Sequence, residues 1–443
     1  MVTGGYVHTY AFHTMGCKLN FYDSEVMSSG LEAEGFVRTD DPTQSDLVII
    51  NTCTVTNNSD AESRNLIRKY RRKNPRSFIV VTGCYAQAET DAISAMDEVD
   101  LVTTNVDKYD VMPIVRAFQG ASMMTTESHD IMEKRPAEFR ILEKFEAKTR
   151  AFIKIQDGCN LRCAYCIIPF VRGNNRSIHI ADVIHQIEVL QQQGIEEVVL
   201  TGIHIGTWGR DFRPRLHLQN LLEAIEARGL DLWIRISSLD SPEIPDSMID
   251  LMASSQTIVP HLHVPLQSGD NRTLRRMRRI YTREQYRDRV ERLRERLPHM
   301  CLGADVIVGF PGETDDEFES TYAFLQDIPL DYLHVFPYSN RNGTAASKFE
   351  HQVNGRVIKN RARLLRDFSD ERRHQHTKRH HGTERMGIVI PKSQNGYQRS
   401  VLTDNYIELG IDIQASFEGQ RIPVWINAHE QFAVPQLDPV AGR

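Results

Sequence analysis

The stretch Gln156-Asp157-Gly158-Cys159-Asn160-Leu161-Arg162-Cys163-Ala164-Tyr165-Cys166 constrains this chain more than any other. It holds three cysteines in the spacing C-x3-C-x2-C. Thiolates are soft ligands that suit zinc or iron–sulfur clusters. Structural zinc takes four protein ligands, usually as two separated pairs. Three cysteines packed this closely, with no fourth nearby, fit zinc poorly. They fit a four-iron cluster that leaves one iron open, and an open iron can bind a small molecule by its amine and carboxylate. A small zinc knuckle or a trio of buried thiols is the bland alternative.

A second trio lies upstream. Residues 7–118 alternate strand and helix patterns: strands at 7–12, 46–51 and 77–82, helices at 23–34, 59–73, 87–96 and 108–118. This reads as a small doubly wound α/β domain. Each strand ends at a cysteine, in Met15-Gly16-Cys17, Asn51-Thr52-Cys53 and Gly83-Cys84. Open α/β sheets bind ligands beyond the carboxyl ends of their strands. Three thiolates meeting at that edge suggest a second cluster, again with one open iron.

Residues 119–148 show no clear strand and read as a connector, with a boundary near 145. From Ala151 the alternation resumes for six βα units, with strands at 151–156, 197–201, 232–237, 259–264, 304–309 and 332–336. Six units are too few for a closed eight-stranded barrel, so an open, partial TIM-like (βα)6 barrel is expected. Its site belongs at the strands' carboxyl ends, where the three-cysteine loop begins. Gly194 should end one helix, and capping boxes at Thr282/Gln285 and Thr314/Glu317 should open two others. A basic helical segment at 356–381 leads into short strands at 386–390, 399–402, 407–409 and 421–426. That tail reads as a small OB-like β-barrel, in which Tyr397 and Tyr406 are either base-stacking or plain sheet aromatics.

Charge is more informative in its distribution than in its total of −6. Residues 272–296 carry eleven arginines against four acids, and residues 356–385 carry ten Lys/Arg against four. Basic patches in an acidic protein suggest a polyanionic partner. Arg275, Arg276, Arg278 and Arg279 precede the Thr282 cap and should escape pairing along that helix. Seven cysteines without a visible secretory signal or membrane span suggest a reducing, cytoplasmic setting. Cys301 has no partner at metal spacing and reads as a buried small hydrophobe.

Taken together the chain resembles the methylthiotransferase family of radical S-adenosylmethionine (SAM) enzymes over essentially its full length. The resemblance rests on Gly16-Cys17-Lys18-Leu19-Asn20, Asn51-Thr52-Cys53-Thr54-Val55-Thr56, Thr82-Gly83-Cys84, the three-cysteine loop, Leu200-Thr201-Gly202, Pro265-Leu266-Gln267-Ser268-Gly269 and Val308-Gly309-Phe310-Pro311-Gly312-Glu313-Thr314. The tail is similar to a TRAM domain, with Gly396-Tyr397 and Leu402-Thr403-Asp404-Asn405-Tyr406-Ile407. The Asn-Thr-Cys-Thr-Val-Thr stretch is most like the branch acting on threonylcarbamoyladenosine at position 37 of transfer RNA. The branches acting on isopentenyl adenosine 37 and on a ribosomal-protein aspartate are the alternatives. A two-cluster electron-transfer or RNA-binding protein is the reading from a different class.

The resemblance implies three domains: an N-terminal methylthiotransferase domain at 6–120, a radical SAM core at 145–375 and a TRAM RNA-binding domain at 378–440. It implies two [4Fe-4S] clusters, one on Cys159, Cys163 and Cys166 that chelates SAM, and one on Cys17, Cys53 and Cys84 that carries the sulfur. Tyr165, Thr201, Gly202, Ser237, Gln267 and Gly309 are its candidate SAM contacts. His204, His261 and His263, near strand ends, read as structural. The implied partners are the tRNA anticodon loop, an electron donor such as flavodoxin or ferredoxin, and a sulfur donor, with no membrane.

Overall fold

The two continuous apolar runs near the start of the chain form the middle of a parallel sheet. The computed structural model describes residues 7–106, 108–120, 131–133, 138–142, 149–391, 397–427 and 432–435. Most of the connector, the boundary near 145 and Gly396 lie outside the described residues. The first sheet contains β1 (Thr9–Thr14), β2 (Val37–Arg38), β3 (Leu47–Thr52), β4 (Phe78–Gly83) and β5 (Leu101–Val102). Their order is β2-β1-β3-β4-β5, all parallel. Every residue of β3 is buried. Leu47 and Ile49 feed one core and Val48 and Ile50 the other, because helices cover both faces. The two-residue strands β2 and β5 were too short to leave a periodic signal. The helix expected at 87–96 is two short ones, Cys84–Ala88 and Thr90–Ser94, broken at Glu89. The helix expected from Lys108 begins at Met112, because Lys108 is drawn into a buried ion network.

The second domain is an open arc of six parallel strands. They are β6 (Ala151–Lys154), then, after the small antiparallel pair β7 (Gln156–Asp157) and β8 (Arg176–Ser177), β9 (Glu197–Thr201), β10 (Trp233–Ile236), β11 (His261–His263), β12 (Cys301–Val308) and β13 (Tyr332–Pro337). β6-β9-β10 and β11-β12-β13 form two three-stranded pieces. Ile234 joins them: its N–H donates to the Thr257 carbonyl at 2.8 Å, and its own carbonyl accepts from the Val259 N–H at 3.0 Å. Both expected capping boxes are present, and Gly194 ends the helix Ile180–Gln192 with φ 78°.

The helix Gly355–Arg379 packs along β13 and delivers the chain to β14 (Glu384–Ile390), β15 (Arg399–Thr403), β16 (Glu408–Ile411), β17 (Arg421–Ile426) and β18 (Phe432–Pro435). These close into a barrel in the order β14-β15-β16-β18-β17. The small barrel is seated on the amino-terminal ends of the arc's strands. Tyr406 stacks on His261 with ring centroids 3.9 Å apart, and the Arg235 guanidinium lies 5.2 Å from its ring. Arg235 also donates to the Asp404 carbonyl at 3.1 Å, and Arg421 pairs with Asp231 at 2.7 Å. Tyr406 therefore plugs the floor of the larger barrel; it is neither a free stacking platform nor a plain sheet aromatic. Among the described residues no helix is long and apolar enough to cross a membrane.

Candidate functional site

The strand ends bring three cysteines to one edge of the first sheet. Cys53 follows β3 directly, Cys84 follows β4 directly, and Cys17 lies three residues beyond β1. Two glycines permit the approach. Gly16 has φ 90°, and a Cβ there would lie 2.7 Å from the Cys53 Cβ. Gly83 has φ 95°, and its Cβ would lie 2.5 Å from the Thr52 carbonyl oxygen. Both positions combine a conformation and a clearance that only glycine supplies. Asn20 staples the loops by donating to the carbonyls of Met15 at 2.8 Å and Thr52 at 3.0 Å.

The other trio lies on the loop after β7, at the carboxyl end of the arc. The Cys166 N–H donates to the Cys163 carbonyl at 3.1 Å, and the Ala164 N–H to the Met277 carbonyl at 3.0 Å. Donors face the sulfurs: the Leu161 N–H reaches Cys159 Sγ at 3.3 Å, and Arg279 Nη1 reaches Cys163 Sγ at 3.3 Å. Burial, and then the neighbouring sulfurs, push the Cys166 thiol up to about 12. Burial does the same to Cys53, pushed up to about 11, with Cys84 and Cys17 adding to it. Without a metal, burial and the neighbouring sulfurs thus favour the protonated thiol at Cys166 and Cys53. A positively charged metal core reverses that balance, since coordination deprotonates a thiol outright. Two trios of soft donors, with N–H groups of Leu161 and Arg279 aimed at one and of Arg172 at Cys84 of the other, therefore fit iron–sulfur clusters.

Several polar residues near these sulfurs were missed in the sequence. His204, read there as structural, has Nδ1 3.6 Å from Cys159 Sγ and Nε2 2.9 Å from Glu243. Burial lowers its imidazole, yet the hydrogen bonds to Cys159 and Glu243 outweigh burial and raise it to about 10. Asp240 lies 3.5 Å from His204 and 2.5 Å from Arg279, tying the donors of two thiols to one carboxylate. Arg279 is thus no free surface arginine, and Arg276 is likewise paired, with Glu317. His263 donates to Asp305 at 2.8 Å. His261 is the ring beneath Tyr406. Cys301 is buried as expected.

A cavity of about 210 Å³ opens between the two domains. Val55 and Thr56, just beyond Cys53, line it from one side. Tyr165, Cys166, Gln267, Asp305, Ile307 and Tyr338 are among its lining from the other. The structure thus brings Tyr165 and Gln267 together at the cavity, with Gln267 at φ 68°. Thr201, Gly202 and Ser237 lie at neighbouring strand ends outside its lining. Gly202 is packed on Gln156, whose carbonyl oxygen would lie 2.7 Å from an added Cβ. Gly309 packs under the helix Gly355–Arg379, where an added Cβ would meet Ile358 Cγ1 at 2.3 Å.

An open six-stranded βα arc with a three-cysteine loop at its carboxyl face defines a radical SAM protein, and the second cysteine edge marks a subclass. A family profile described as "Radical SAM superfamily" matches residues 153–325, and one described as "Uncharacterized protein family UPF0004" matches residues 9–104. The chain is 37% identical to the threonylcarbamoyladenosine tRNA methylthiotransferase MtaB of Aquifex aeolicus, over 90% of this chain and 95% of that protein. It is 42% identical to the MtaB of Bacillus subtilis over 82% of this chain and 80% of that one. It is 33% identical to the tRNA-2-methylthio-N(6)-dimethylallyladenosine synthase of Staphylococcus haemolyticus over 89% and 74%. The solved radical SAM methyltransferase TsrM from Kitasatospora setae shares the fold at TM-score 0.56 and 17% identity, over 75% of each chain. The chain belongs to the radical SAM methylthiotransferase family.

Proposed function

We propose that this enzyme inserts sulfur and a methyl group at C2 of N6-threonylcarbamoyladenosine 37 in tRNA, using two [4Fe-4S] clusters. One observation carries the reading: loops bearing cysteines from two different domains line a single cavity. When bound, the clusters would supply one-electron cleavage of SAM and delivery of sulfur. The chain's own residues hold the halves together around that space. Arg341, from the loop after β13, pairs with Asp60 at 2.5 Å and donates to Asn57 at 2.7 Å and to Thr54. Thr54 belongs to the stretch that resembles the threonylcarbamoyl branch, and MtaB relatives at 37 and 42% identity support that branch. Tyr165, Ile307 and Phe336 give the cavity apolar walls that exclude water, while Gln267 and Asp305 supply its polar contacts. A low-potential electron donor such as flavodoxin or ferredoxin, a sulfur donor and a cytoplasmic setting complete the proposal.

Anaerobic reconstitution should yield about eight irons per chain. Changing Cys159, Cys163 and Cys166 to Ala should leave about half of them and abolish 5′-deoxyadenosine formation. Changing Cys17, Cys53 and Cys84 to Ala should spare SAM cleavage but stop methylthiolation. Mass analysis of nucleosides, with tRNA carrying threonylcarbamoyl or isopentenyl adenosine, distinguishes the branches. Zinc in place of iron, or methylthiolation by the second variant, overturns the reading.

A further inference from the structure

A buried cluster of charges lies between the two cysteine trios, and its formal charges do not balance. Arg172, Lys108 and Lys154 are at most 3% exposed. The acids buried among them are Asp23 and Asp157. Arg172 Nη1 lies 2.9 Å from Asp23 and 3.5 Å from Asp157; Lys108 pairs with Asp23, and Lys154 lies 3.8 Å from Asp157. With Arg176, whose Nη2 lies 3.8 Å from Asp157, four cations thus face two carboxylates. Leaving a buried cation unmatched is costly, and a further anion in contact with the group offsets that cost. The Arg172 guanidinium has one such contact left: Nε lies 3.2 Å from Cys84 Sγ, while Nη2 donates to Asn20 Oδ1 at 2.5 Å.

The placement of Arg172 in the chain is as informative. It sits at the end of the short helix Ile168–Arg172, which follows the loop of the first trio, yet its head contacts a cysteine of the second. We propose that Arg172 is a positioning residue for the group held by Cys17, Cys53 and Cys84. Its charge stabilises the anionic, thiolate-ligated cluster and raises that cluster's reduction potential. Its fork, shared with Asp23 and Asp157, holds the two trios in one fixed relation. This rests on the reading that the second trio holds a cluster. One-electron reduction adds negative charge to an already anionic cluster. A cation in contact with one ligand, in a site with little water, favours the reduced form.

The test uses the full chain with Cys159, Cys163 and Cys166 changed to Ala, which isolates the second cluster. EPR-monitored redox titration should give a more negative potential for R172M than for its parent, and an intermediate one for R172K, which keeps the charge without the fork. Equal potentials in all three overturn the proposal. Because R172M also strips a partner from Asp23 and Asp157, a measurement on unsubstituted Arg172 guards against misfolding. With 15N-arginine label, pulsed EPR of the reduced cluster should detect a weakly coupled arginine nitrogen. Absence of that coupling also overturns the proposal. Absence of iron from the isolated second trio sinks instead the cluster reading on which it rests.

Discussion

Single residues show how burial, more than sequence neighbourhood, sets chemical role. Arg172 follows the apolar run Ile167–Val171, and a lone cation there was the signal that it needed a buried partner. Arg279 sits in a run of arginines that read as surface, yet its side chain is only 5% exposed. Glu197 is the sharpest case for a measurement. Burial raises its carboxyl, but Arg235 and Arg150 more than offset that, holding it down to about 2 against a usual 4.5. A depressed carboxyl contributes stability that is fully present above pH 4.5 and is lost as pH falls toward 2. E197Q should therefore be less stable by about 3 kcal/mol at pH 7, since it strands two arginines. The gap between E197Q and the parent in urea midpoint should narrow as pH drops from about 4.5 to 2. A constant gap would mean the carboxylate's charge is not what Arg235 needs.

At the scale of elements, the two basic segments part company. Along the helix Arg283–Arg296 the arginines are occupied: Arg287 lies 3.7 Å from Glu291, Arg289 2.5 Å from Asp246, Arg292 3.1 Å from Asp288 and Arg294 2.6 Å from Asp331. Solvated or cross-braced pairs of this kind neutralise the helical part of the patch expected at 272–296, while Arg275 and Arg278, ahead of the Thr282 cap, are exposed as expected. The helix Gly355–Arg379 differs. Arg356, Lys359, Arg363 and Arg366 are exposed and recur at spacings of three and four, so they share one face. Its 25 residues run from Gly309, near the cysteine face, to the floor of the barrel beside Asn405. Such a stripe suits phosphates at regular spacing. Changing these four residues to Ala should weaken tRNA binding and lower the log–log salt slope by roughly 0.7–0.9 per lost contact. The same change at Arg287, Arg289 and Arg292 should leave the slope in place. If both variants bind alike, the stripe is a solvated face.

At the scale of the whole molecule, the closed β-barrel is part of the core domain's floor. Tyr406 fills the amino-terminal end of the arc, and Asn405 contacts His380 at 3.0 Å and the His299 carbonyl at 3.2 Å. Removing residues 384–443 would open that floor. Y406A should cost about 2 kcal/mol and lower the melting temperature of the intact chain, measured by thermal unfolding. An unchanged melting temperature would mean the two barrels are independent. The sequence alone determined the three-part architecture, the open six-stranded arc and the six cysteines beyond strand ends. Those rest on local physics: apolar period, capping side chains, and thiols placed where strands stop. It could not show that Arg172 reaches from one trio's loop to the other trio's cysteine, that Asp240 unites His204 and Arg279, or that Tyr406 closes a barrel. Each depends on desolvation between segments distant in sequence, where a charge or ring is forced to find a partner, and only the packed chain decides which partner that is.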